Sequence, residues 1–164
     1  MKKHRGSVLT IFLCFLLTAC GEAGQVVKQN IDPCSLVSTQ EAGQILGTPM
    51  TAHQEFTSSG GGSTTTTCAY SSASRTDHAA LQLHIFTDSS SARSTFQFSK
   101  SSDSPSVQSL HGLGEDAYFY AFALPDNIDL EVLKDNAILS VMAGHERADL
   151  GIDKQFAQIA LKRL

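Results

Sequence analysis

Residues able to do chemistry are scattered along this chain of 164 residues rather than clustered. Gly112, Gly114 and Ala117 match the spacing of the dinucleotide fingerprint Gly-x-Gly-x-x-Ala. That motif binds only when a strand precedes it and a helix follows, so that helical N–H groups face the pyrophosphate. Here Tyr118-Phe119-Tyr120 follows, a β-type run, and Glu115 and Asp116 would repel phosphate. A tight turn feeding a strand is expected instead. His53, His78, His84, His111 and His145 lack the His-x-x-x-His spacing of a helical metal site and the His-x-His spacing of a strand site, so all five are expected as solvated surface residues. The chain has no Gly-x-Ser-x-Gly elbow to activate a serine. Asp126 and Asp129 fall where a turn is expected, but the Asp-x-Asp-x-Asp-Gly loop of a calcium site is missing. Tyr118, Tyr120 and Phe122 would share one strand face, opposite Phe119, Ala121 and Ala123, and are expected to pack in a core rather than form an exposed patch. No catalytic residue, metal or cofactor is expected.

The first residues speak to address. Lys2, Lys3, His4 and Arg5 are followed by an apolar run from Val8 to Leu17, broken only by Thr10, and then by Thr18 and Ala19. That is the layout of a secretory signal. A run of about 10 apolar residues is half the roughly 20 that cross a bilayer as a helix. Leu17-Thr18-Ala19-Cys20 resembles the lipobox of bacterial lipoproteins. The resemblance implies cleavage before Cys20, a thioether from its thiol to diacylglycerol, and usually a further acyl chain such as palmitate on the new amine. Two or three acyl chains anchor stably where one binds only reversibly. Gly21 in place of Asp implies outer-membrane sorting in a Gram-negative cell. Residues 1–19 are therefore expected as the signal, 20–31 as a lipidated tether and 32–164 as a single domain. Eleven residues from Gly21 to Ile31 reach at most about 35–40 Å, which would hold the domain at the membrane surface.

Processing changes the charge. Loss of Lys2, Lys3 and Arg5 leaves 9 of 12 basic residues against all 16 acidic ones, so the mature chain sits near −7. Nucleic-acid binders concentrate Lys and Arg on one face, and no nucleic-acid partner is expected. Cys14 leaves with the signal and Cys20 carries lipid, so Cys34 and Cys68 remain. Two cysteines in an oxidising exported compartment are expected to pair.

The elements that must position everything else follow from local pattern. Ser38-Thr39-Gln40-Glu41 has capping-box spacing, and Val37, Ala42, Ile45 and Leu46 form an apolar helical face ending at Gly47. Thr51 to Thr57 and Thr64 to Ser71 read as strands of a loose hairpin joined by Ser58 to Ser63. Ala79 to Phe86 alternates sharply, with Leu81, Leu83 and Ile85 on one face. A helix is expected from Ser89 to Ser99, then strands from Tyr118 to Ala123, Ile128 to Leu133 and Ala137 to Ala143, the last two a hairpin about Lys134-Asp135-Asn136. Asp153 is read as the cap of a closing helix whose face is Ile152, Phe156, Ile159 and Ala160, with Lys162 and Arg163 at its negative end. Helices interrupting a largely antiparallel sheet give an α+β sandwich, an antiparallel sheet packed between helices.

Asp32-Pro33-Cys34-Ser35-Leu36, then Glu41, Leu46-Gly47, Cys68-Ala69-Tyr70, Gly112-Leu113-Gly114-Glu115-Asp116-Ala117 and Ala160-Leu161-Lys162-Arg163-Leu164 together resemble a family of small bacterial lipoproteins. These carry a domain of unknown function with a Pro-Cys-Ser-Leu-Leu opening and are abundant in actinobacteria. Val37 stands where the second Leu is usual, and Tyr70 where Trp is common. The resemblance covers residues 32–164 and implies a PsbP-like sandwich with its two cysteines paired. It supplies no activity and no catalytic residues.

The functional expectation is a non-enzymatic, lipid-anchored periplasmic domain. It would bind an unknown protein or small molecule through one sheet face or through the loops around Gly60 and Gly112. An inhibitor or immunity lipoprotein that turns its acidic surface on a toxin or cell-wall enzyme is the alternative, and a hydrolase with an unrecognised site a third.

Overall fold

A computed structural model describes residues 31–102, 106–121, 128–144 and 149–164. Signal, lipidation site, most of the tether, Phe122, Ala123, Asp126 and His145 lie outside them. The elements run α1 (Thr39–Leu46), β1 (Met50–Gly60), β2 (Ser63–Ser72), β3 (His78–Phe86), α2 (Ser89–Ser102), β4 (Gln108–Leu110), β5 (Asp116–Ala121), β6 (Ile128–Lys134), β7 (Ala137–Gly144) and α3 (Leu150–Leu161), after a short 3₁₀ turn at Pro33–Ser35. Among the described residues seven strands form one antiparallel sheet in the order β1-β2-β3-β7-β6-β5-β4.

Side-chain alternation decides which helix covers which face. Leu81, Leu83 and Ile85 of β3 and Leu139, Val141 and Ala143 of β7 point into the main core with α1 and α3. Phe86, Leu133, Ile138 and Tyr118 point the other way, against Ala92 and Phe96 of α2. The expected α+β sheet between helices is therefore present. Tyr118 is fully buried with its ring 5.0 Å from Phe96, edge to face, and 6.1 Å from Tyr120 on the same strand face.

Several elements match their sequence signals. Ser38 and Glu41 form the capping box of α1, and Gly47 ends it in the left-handed region at φ 73°. Cys34 and Cys68 are bonded, with Cα atoms 5.1 Å apart. Closing that loop of 34 residues stabilises by roughly 3–4 kcal/mol in the chain-entropy model. The glycine tract differs from expectation. Ser58 to Gly60 and Ser63 belong to the strands, and only Gly61 and Gly62, at φ 59° and 82°, make the turn. Thr and Ser suit a pleated surface, and two positive-φ glycines fit the twist of a two-residue hairpin loop. The short β4 has no periodicity of its own that the sequence could show.

Asp153 is a second correction. Asp149 caps α3, accepting from the Gly151 N–H at 2.7 Å. Asp153 lies one turn inside and is fully buried. Strands β6 and β7 pair only as far as Leu130↔Val141, whereas β7 continues with β3 to Gly144. In the wedge where they part, the Ala143 N–H donates to Asp153 Oδ1 at 2.9 Å, so the carboxyl ties α3 to the sheet. Among the described residues its Oδ2 has no hydrogen-bond partner. Burial, with the negative charges of Asp129 and Asp149, pushes the Asp153 carboxyl up to about 7.

The folded state thus holds a proton that the unfolded chain releases near pH 4. The stabilisation is complete below that pH and is lost as pH rises to about 7. Urea unfolding should show a decline on the order of 3–4 kcal/mol between pH 4 and 7. Asp153→Asn, which keeps the acceptor for Ala143, should flatten that slope. Equal slopes in the two proteins would refute the assignment.

Candidate functional site

The turn end of the sheet gathers segments distant in sequence. At the end of β3 the Phe86 N–H donates to the Asn136 carbonyl at 2.9 Å, and Asn136 Nδ2 donates to the Phe86 carbonyl. That reciprocal pair fixes the two-residue turn between β6 and β7, in which Asp135 takes the left-handed region at φ 54°. The Thr87 N–H donates to the Gly62 carbonyl at 2.9 Å, which brings the tip of the β1–β2 hairpin to the start of α2. On the other side the Asp135 N–H donates to Glu115 Oε1 at 2.7 Å, and Glu115 pairs with Arg93 of α2. Lys134 Nζ donates to the Leu161 carbonyl at 2.7 Å, a cation on the negative end of α3.

Gly112 and Gly114 belong to this end too, in the role of a turn. Gly114 sits at φ 56°, and a Cβ there would overlap the Leu133 carbonyl oxygen. The close approach lets the Glu115 N–H donate to that same carbonyl at 2.8 Å as the chain enters β5. A strand follows, not a helix, so the expected reading of Gly-Leu-Gly as a turn holds.

Two cavities open here on either side of Lys134. The larger, about 520 Å³, has an apolar wall of Ile31, Ile85, Ala137 and Leu164 and a polar rim that includes Thr87, Asp88, Ser89 and Asp135. The smaller, about 330 Å³, is lined by Gly112, Gly114, Gln158, Leu161 and Lys162, and Lys134 lines both. Cavities of this size suit small ligands. Asp88 accepts from the Ser91 N–H at 2.8 Å and caps α2. Hydrogen bonds from Ser90 and then Ser91 hold its carboxyl down at about 2, so it is ionised across physiological pH. The lining can hold a ligand through apolar contact, hydrogen bonds and charges of both signs.

The loops expected around Gly60 and Gly112 therefore lie at the same end of the sheet, where Gly112 and Gly114 line the smaller cavity and Gly62 is bonded to Thr87 of the larger. Lys134, Asp88 and Asn136 were not legible as site residues, since a Lys-Asp-Asn hairpin turn and an Asp before a helix look alike in any fold. The face of the sheet beyond α2 is polar. Gln82 donates to Thr67 Oγ1 at 3.2 Å, and Tyr118 and Ser140 donate to Glu131 at 2.8 and 3.3 Å. His84 on that face is half-buried rather than solvated, 6.3 Å from the Phe86 ring, and burial pulls its imidazole down. His53 is exposed and lies 3.3 Å from Glu55, and His78 and His111 are exposed as well. Among the described residues no group of three or more His, Cys, Asp or Glu is placed to hold a metal, and no helix is long and apolar enough to cross a membrane.

No known family model matches the chain, and no curated protein does. Among solved structures it is similar to the extracellular domain of PknH from Mycobacterium tuberculosis, with a TM-score of 0.60 at 11% identity, over 83% of this chain and 97% of that one. At that identity the likeness is one of fold.

Substitution separates the two glycines. Gly114→Ala should cost roughly 3 kcal/mol or more in urea unfolding, from backbone strain and overlap with Leu133 together. Gly112→Ala, with open space around its Cβ, should cost only about 1 kcal/mol. Equal losses would mean that the close approach at Gly114 does not matter.

Proposed function

We propose that this chain is an exported lipoprotein of the PsbP-like type, anchored through Cys20 in the outer membrane of a Gram-negative cell with its domain facing the periplasm. Residues 32–164 act as a non-enzymatic binding domain whose ligand, a small molecule or a segment of a protein, sits in the groove at the turn end of the sheet. The observation that carries this reading is the pair of cavities at the turn end of the sheet, both lined by Lys134, the smaller also by Gly112 and Gly114, with the Gly62 turn bonded to Thr87 on the rim of the larger. The disulfide suits an oxidising compartment, and the fold of the PknH extracellular domain is a precedent for this architecture outside the cytoplasm. Ile31, where the tether joins the domain, lines the larger cavity, so the groove lies at the end of the domain that the anchor holds.

Two measurements test the two halves of the reading. In cells given a fatty-acid probe, the wild-type chain should be labelled and Cys20→Ser should not; equal labelling would remove the anchor. Native mass spectrometry of the mature chain after exposure to envelope extract should show a retained adduct. Ser89→Trp, at an exposed position on the rim, should lose that adduct while keeping the wild-type melting curve. An adduct that survives the substitution, or none in either protein, would overturn the groove as the binding site.

A further inference from the structure

The first turn of α3 is held to the sheet by a carboxyl that stands in for a strand. Strands β6 and β7 pair no further than Leu130↔Val141, while β7 runs on beside β3 to Gly144. Beyond that last pair, the Ala143 N–H donates to Asp153 Oδ1 at 2.9 Å instead of to a strand carbonyl. Of the residues Leu150 to Asp153, Asp153 alone is buried, and it is fully so. Among the described residues its Oδ2 meets no donor or acceptor. A carboxyl enclosed in this way is stable when neutral. A buried charge without a partner is costly, and water relieves it only if the wedge opens.

The charged groups around Asp153 oppose its ionisation. Strand β6 brings Asp129 and the cap of α3 brings Asp149, both negative. Strand β7 offers Met142, Ala143 and Gly144 in this stretch, and from β3 the ring of His78 lies against Gly144. Lys154, the next residue of α3, projects about 100° away around the helix. Helix α1 brings Glu41, which Arg163 holds beyond the opposite end of α3. That opposite end is fastened by other means. Lys134 donates to the Leu161 carbonyl, Arg163 donates to the Leu36 carbonyl, and Phe156 packs against the Tyr70 ring at 5.7 Å. One end of α3 is thus secured by an acid that must stay neutral, and the other by cations and apolar burial.

We propose that Asp153 is a proton-operated clasp: while neutral it holds the first turn of α3 against the end of β7, and once ionised it lets that turn leave the sheet with the rest of the domain folded. The opening is local because the ties at the other end of α3 persist. It bares the Ala143 N–H and the stretch of β7 beyond Val141, a short strand edge that is covered in acid and accessible at neutral pH.

Hydrogen exchange of the full chain, resolved to single amides and corrected for the intrinsic pH dependence of exchange, tests the clasp. The closed carboxyl keeps its proton up to about pH 7 and the open one loses it near pH 4. The opening constant at Ala143 should therefore rise about tenfold for each unit from pH 5 to 7 and level off above. Low urea should leave it unchanged, because little surface is exposed. The amides of Ile159 and Ala160 should open far less often and respond to urea as global unfolding does. Asp153→Asn keeps the acceptor for Ala143 and has no proton to lose, so it should abolish the rise. Asp149→Asn, an equally good cap at an exposed position, removes one neighbouring charge and should make the rise level off at a lower pH. That second variant decides the matter if Asp153→Asn does not fold. An opening constant equal at pH 5 and 7, an unchanged rise in the variants, or an Ala143 amide that opens only together with Ile159 and Ala160 would overturn the clasp.

Discussion

The pairing of β3 with β7 is the constraint on which everything else in this fold depends. Strands β1, β2 and β3 form one antiparallel meander and β4 to β7 another, and among the described residues the register His78↔Gly144 to Ile85↔Ala137 is their only join in the sheet. Leu81 opposite Val141 and Leu83 opposite Leu139 make the join apolar on the α1–α3 face. A slip of one residue would turn that whole row outward, so burial on one face pins the register. The chain crosses from one meander to the other through α2, whose Ala92 and Phe96 then seal the opposite face. At its far end the seam closes on the reciprocal Phe86–Asn136 bonds, and these set the walls of the groove.

A second set of ties holds the start of the domain to its end. The disulfide fixes Cys34 to β2, and two residues on Tyr70 donates its hydroxyl to the Val37 carbonyl at 2.7 Å while its ring lies 5.7 Å from Phe156 of α3. Arg163 reaches the Leu36 carbonyl at 2.8 Å and Glu41 at 2.6 Å. Its guanidinium, with the Ser38 hydrogen bonds, holds the Glu41 carboxyl down at about 2. The Pro-Cys-Ser opening and the Lys-Arg ending, which looked like separate sequence signatures, are two sides of one latch. The latch also brings Ile31 and Leu164 to the same cavity wall.

The groove is thus a by-product of how ends and turns are tied rather than a feature of any one element. Two helix termini supply charge, Asp88 at the start of α2 and Lys162 at the end of α3, and one hairpin supplies Lys134 and Asp135. Such a site is ordered because every segment in it is also load-sharing in the fold: Glu115 alone joins α2, the β6–β7 turn and its own loop.

Local chemistry made much of the fold legible. The capping box at Ser38 and Glu41, the alternation of Leu81, Leu83 and Ile85, and the face of Phe156 and Ala160 are periodic signals that need no distant partner, and each element formed where its signal lies. The expected pairing of Cys34 with Cys68 is present. The sequence by itself therefore determined the helices and the strands with a clear period, the disulfide pair and the turn character of Gly-Leu-Gly, but not β4 or the full reach of the β1–β2 hairpin. Only the tertiary structure decided that Asp153 sits in a wedge between strands instead of capping its helix, that His84 is half-buried, and that Lys134 lines two cavities, one of them with Asp88 and the other with Lys162. The reason is physical: periodicity and capping act over a turn or two of chain, whereas burial and encounter depend on which strands lie side by side, and the β3–β7 pairing joins residues more than 50 apart.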